Sequence, residues 1–157
     1  MKVLIHRAAA VGAFGMVLLF WSSTLVSEFF LDLHSVAIVK RAVAYALPVL
    51  IVLLITTGAT GARLATGRTG RLLGAKRRRM RVVAATGMLV MLPAALFLHA
   101  LASRGSFDGR FYAIQAVELI AGASQIALMA LNARDGLRLS RGRGHITTAH
   151  GASGETG

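Results

Sequence analysis

"FYAIQAVELIAGASQIALMALNARDG", Phe111–Gly136, is a largely apolar run that nonetheless carries Gln115 and Glu118 in its first half. A helix rising about 1.5 Å per residue needs about 20 apolar residues to cross a hydrocarbon core of about 30 Å. This run is long enough. A carboxylate near its start, about 10 Å inward from the helix end, is costly in lipid and must face the bundle interior, a partner or water. Helical spacing says how. Gln115, Glu118, Gly122, Gln125, Met129 and Asn132 follow one another by steps of three and four, so they share one face. That stripe predicts a helix packed inward along a polar line.

Three further apolar blocks precede it. The spans are expected at residues 5–29, 42–61, 82–102 and 111–133, within a transmembrane domain over residues 1–136. This predicts an all-α protein, a bundle of four transmembrane helices. Pro48 and Pro93 are tolerated there because neighbouring groups re-satisfy the freed carbonyls. The first block lacks a small-x-small cleavage site and is followed by other spans, so it reads as a retained helix rather than a signal peptide. The chain is 55% hydrophobic and only 15% charged, against about 25% charged for a soluble domain, and its mean hydropathy is +0.66. It holds no cysteine, which excludes disulfides, thiolate metal sites and thiol nucleophiles. "NARDG" is expected to stop the fourth helix, with Gly136 as a left-handed cap. The Gly-rich, polar residues 137–157 are expected to be a disordered tail.

Charge sets the orientation. The stretch over residues 62–81 contains Arg63, Arg68, Arg71, Lys76, Arg77, Arg78, Arg79 and Arg81, and lies on the same side as Lys2, Arg7 and the arginines after Ala133. The other side has only Lys40, Arg41, Arg104 and Arg110, beside Glu28, Asp32 and Asp108. The positive-inside rule then puts both termini and the basic loop in the cytoplasm of a bacterial cell, the protein being multi-pass in its inner membrane. The net charge of +12 is therefore a topological signal. Lys76, Arg77, Arg78, Arg79 and Arg81 are expected to lie against anionic lipid headgroups. No aromatic residue interleaves them to stack bases, so nucleic acid is not an expected partner.

The remaining ionisable groups gather toward the opposite, outer side. Glu28, Lys40, His99, Gln115 and Glu118, with Gln125 further in, form the candidate intramembrane polar site. On the first helix Trp21, Thr24 and Glu28 share a face that continues through Val17, Ala10 and His6. Such a cluster reads as a structural contact between helices, as the polar end of a ligand pocket, or as a proton site. Lys40, with His34 and Arg41, is placed in the outer loop or at the start of the second helix. No serine–histidine–acid set and no metal-ligand set stands out, so no catalytic residue and no metal site are assigned.

Two resemblances bear on this. "LIHRAAAVGAF", "KRRRMRVVAATGMLVMLPAALFL" and "FYAIQAVELIAGASQIALMALNARDGLRL" together resemble an uncharacterised family of small four-helix bacterial integral membrane proteins. The likeness covers the chain to about residue 140 and implies the same fold, with no activity to carry over. "IHRAAAVG", Ile5–Gly12, is similar to the start of the first membrane helix in the cytochrome-b anchor subunits of succinate dehydrogenase. That resemblance implies a quinone-side role for Arg7, beside His6. Ala8 and Ala9 stand where a small hydroxyl residue is expected, and no haem-ligand segment follows.

The sequence therefore reads as a non-enzymatic membrane component, either a partner subunit of a larger complex or homo-oligomer, or a bundle that binds a small molecule or lipid. On that reading no cofactor is expected. One alternative is a redox anchor holding quinone or haem b, the latter through His34 and His99. The other is a proton-linked transporter that uses Glu118.

Overall fold

The computed structural model describes residues 2–64 and 71–151, with side chains for residues 3–64, 74–75 and 77–136. It contains α1 (Lys2–Phe30), α2 (Leu33–Leu64), α3 (Arg71–Thr86), a π-helical turn (Gly87–Met91), α4 (Leu92–Ser103) and α5 (Gly109–Gly151). Because α3, the π-helical turn and α4 run end to end, the described residues make four candidate membrane spans. These are Val3–Phe30, Leu33–Leu64, Arg77–Ser103 and Gly109–Gly136. The protein is an all-α, four-helix bundle.

Both connections at one end of the bundle are short, and each is closed by an aspartate. Between α1 and α2 only Leu31 and Asp32 are non-helical, and the Asp32 carboxylate accepts the Ser35 backbone N–H at 3.1 Å. Before α5 the Asp108 carboxylate accepts the N–H groups of Arg110 and Phe111, each at 3.1 Å. Both satisfy N–H groups that a helix start leaves without partners. At the end of α4, Gly105 has φ 67°, and the Gly105 and Ser106 N–H groups reach back to the carbonyls of Ala102 and Leu101. This is a Schellman stop, and its left-handed position favours glycine.

Three expected boundaries move. First, α2 starts at Leu33 rather than near residue 42, because the Asp32 cap starts the helix upstream of its charged residues. Lys40 is thus a helix residue and not a loop residue. Second, of the basic stretch expected as a loop over 62–81, residues 65–70 lie outside the described residues and Arg71–Arg81 is helical. Arginine, lysine, leucine, alanine and methionine all favour helix. Third, α5 does not stop at Gly136. Among the described residues only Gly105 has positive φ, so Gly136 forms no left-handed cap and the helix continues to Gly151. The backbone expected to be disordered from residue 137 is helical to that point, and residues 152–157 lie outside the described residues.

The helices stand in a ring. α1 packs on α2 and α5, α4 packs on the same two helices, and α2 and α5 occupy opposite corners without extensive backbone contact. α3 packs on α5 but not extensively on α2, so the third span leaves α2 as it passes from α4 into α3. The cause lies in the π-helical turn. The Leu92 N–H bonds the Gly87 carbonyl five residues back, and Pro93 follows with no N–H to give. A π-bulge and a proline are the usual origins of such a bend.

Ala13, Val17, Val43, Leu47, Leu50 and Ala95 form the central apolar cluster, and Val36, Leu98, Ala102 and Phe111 form a second one near the short loops. Leu19, Val52, Leu89 and Ile120 are over 60% exposed on the outside, as lipid-facing side chains are. Since lipid is as apolar as these residues, close packing and interhelical polar contacts hold the spans together.

Candidate functional site

The polar stripe of α5 faces the bundle interior. Gln115, Glu118 and Gln125 are all more than nine-tenths buried. Across the diagonal, Lys40 of α2 has 1% of its side chain exposed, and its Nζ donates to Glu118 Oε2 at 2.7 Å. Gln115 Nε2 reaches the same oxygen at 3.4 Å. Glu28 of α1 lies within electrostatic reach of both Lys40 and Glu118. α2 and α5 thus bring one carboxylate, one ammonium and one amide into a buried cluster, with the half-buried Glu28 of α1 near it. Neither charge of such a pair is tolerable alone in a medium of low dielectric.

Beneath this bridge lies a cavity of about 320 Å³, within the range of small-molecule sites. Its wall is mostly aliphatic, and all four spans contribute to it. Its polar lining is Thr24, Glu118, Gln125 and the indole of Trp21. Trp21 is the chain's single tryptophan, and its Nε1 donates to the Leu119 carbonyl at 3.0 Å. It lies so close to α5 that a Cβ on Gly122 would come within 2.7 Å of its ring. Gly122 is therefore required by contact. Gly87, on the π-helical turn, lies beside the Gln125 amide, where a Cβ would stand in ordinary contact at 3.5 Å.

Of the residues singled out in the sequence, Glu28, Lys40, Gln115 and Glu118 come together, and Gln125 lines the cavity below them. His99 does not join. Its ring sits 6.0 Å from that of Tyr45 and near the Ser103 hydroxyl, at 3.3 Å. His34 is exposed in the first turn of α2. His6 lies at the other end of the bundle, its Nδ1 3.0 Å from Thr60 Oγ1, beside an exposed Arg7. None of these four lines the cavity.

The basic residues divide. Arg77, Arg78 and Arg81 are exposed, and the side chain of Lys76 lies outside the described residues. Arg79 turns inward instead. It pairs with the buried Asp135 at 2.8 Å and approaches Asn132 at 3.5 Å, tying α3 to α5. Arg79 is thus engaged in a contact between helices. Asp135 was legible as the next three-residue step after Asn132 on the α5 stripe, but it was read as part of a helix stop. The cavity itself has no sequence signal, because it arises from the bend of the third span.

Among the described residues no group of three or more His, Cys, Asp or Glu could hold a metal ion. The chain matches no known family model, no characterised protein and no solved structure.

Proposed function

We propose that this protein is an intramembrane binding module that holds a small, mostly apolar molecule inside its four-helix bundle. The observation that carries this is the cavity itself, aliphatic over most of its wall and closed at one end by the Lys40–Glu118 bridge. Concave, apolar sites with a few convergent polar groups are where small ligands bind. On this reading the protein sits in a bacterial inner membrane with its basic end in the cytoplasm. The exposed Arg77, Arg78 and Arg81 face anionic headgroups there. The redox alternative rests on His34, His99 and Arg7, which stand apart from the cavity.

A cavity-filling variant tests the proposal. A Cβ on Gly58 meets nothing within 4 Å, and Gly58 lines the cavity. Gly58→Leu therefore adds apolar volume from a position that is open at Cβ, and improves helix propensity by about 1 kcal/mol. Native mass spectrometry of protein released from nanodiscs, with solvent extraction, should find a small apolar species retained by the parent protein and absent from the variant. Equal retention by both, or none by either, would contradict the proposal.

A further inference from the structure

The cavity has a chemically specific end and a specific mouth. Both interactions of Glu118 fall on Oε2, and among the described residues its Oε1 accepts no hydrogen bond. The Thr24 hydroxyl likewise makes none there, although Thr24 is 4% exposed and lines the same cavity. Two buried polar groups, one a pure acceptor when ionised and the other a donor and acceptor, therefore face one apolar space.

The mouth lies elsewhere. Ile55 of α2 and Met88 of the π-helical turn line the cavity and are also 62% and 53% exposed. Residues that are both lining and exposed mark an opening, here between α2 and the third span where it bends away. Ala84, exposed on α3, completes that rim. The opening is on the lipid-facing side of the bundle and is framed by apolar side chains.

We infer that the ligand is a neutral, hydroxyl-bearing apolar molecule that enters sideways from the bilayer between Ile55 and Met88. Its hydroxyl donates to Glu118 Oε1 and accepts from Thr24, while its hydrocarbon body lies along Val17, Leu47, Leu50 and Leu92. A carboxylate would meet Glu118 as a like charge, and an ether or hydrocarbon offers no donor. This inference rests on the cavity reading above and adds the ligand class and its route.

The test uses the full chain in phosphatidylcholine nanodiscs and the emission of Trp21, the single tryptophan, which lines the cavity. The protein is titrated with 1-decanol and with decyl methyl ether. Saturable binding of the alcohol is expected, with the ether weaker by roughly five- to tenfold, the scale of one net hydrogen bond. Thr24→Val, nearly isosteric, removes a donor that the oxygens of both probes accept from, so it should weaken alcohol and ether alike and leave the alcohol's advantage, which rests on Glu118, in place. Ala84→Phe, at the exposed rim, should slow the approach to saturation. Equal affinity of alcohol and ether would overturn the hydroxyl assignment while leaving a binding cavity. An unchanged rate in Ala84→Phe would overturn the lateral route. No saturable response to either probe would overturn the cavity reading itself.

Discussion

Lys40 has 1% of its side chain exposed, and its ammonium is held by the Glu118 carboxylate at 2.7 Å. In the sequence the adjacent Lys40 and Arg41 read alike, as a charged edge in the outer loop or at the start of the second helix. Arg41 is indeed exposed. What distinguishes its neighbour is a partner 78 positions away, which no local pattern reveals. Glu118 was legible because its own helix shows the stripe it belongs to, and a stripe needs only one segment. Trp21 and Gly122 show the same limit. Each belongs to a recognisable face, but their contact is a property of two helices. Gly122→Ala should destabilise the bundle by about 1–3 kcal/mol through overpacking, because the atom displaced belongs to a rigid indole. Thermal unfolding in detergent measures the loss, and a shift in Trp21 emission reports the displaced ring.

Spans could be read from the sequence to within a turn or so only where apolar blocks ended cleanly. Residue 102 was expected as the end of the third span, and α4 ends at Ser103. The misplaced start of α2 had a signal, since Asp32 stands three residues before Ser35 at the head of an apolar run, as an N-cap does. Hydropathy outweighed it. The side-chain hydroxyl of Ser35, and then its backbone N–H, hold the Asp32 carboxyl below its usual range. A carboxyl depressed on folding stabilises the protein above its unfolded value, near pH 4, and loses that contribution as pH falls through its folded value. Asp32→Ala should therefore lower the melting temperature at pH 6, and the difference from the parent protein should shrink on acidification toward about pH 3. A difference independent of pH would show that the carboxylate is not the capping group. The π-helical turn was not legible at all. Pro93 announced a kink, but the direction of that kink depends on which neighbours α3 and α4 meet.

Over the whole molecule, two ion pairs hold the bundle at its two ends. At the short-loop end Lys40 and Glu118 cross the diagonal between helices without extensive backbone contact. At the basic end Arg79 and Asp135 fasten α3 to α5, where α3 has no extensive backbone contact with α2. The cavity lies between them, and its mouth is where α3 has left α2. Arg79→Ala should cost about 1.5–3 kcal/mol, the scale of a hydrogen bond to a charged group. Arg78→Ala, on the exposed face, should stay within about 0.5 kcal/mol of the parent protein. Equal losses would mean that the arginines act only as a surface charge. The four-helix architecture could be read from hydropathy. The division of labour among the arginines could not, because it depends on which of them α5 meets.

The diagonal bridge is the claim on which the rest depends, and a double-mutant cycle tests it most directly. Lys40→Met and Glu118→Leu, singly and together, are compared by reversible unfolding in a bilayer-mimetic detergent. Each single variant leaves one charge buried without its partner and should cost about 3 kcal/mol, whereas the double variant replaces both with apolar groups and should cost much less than the sum. Strictly additive losses would mean that the two charges do not meet, and the roof of the cavity would be lost with them.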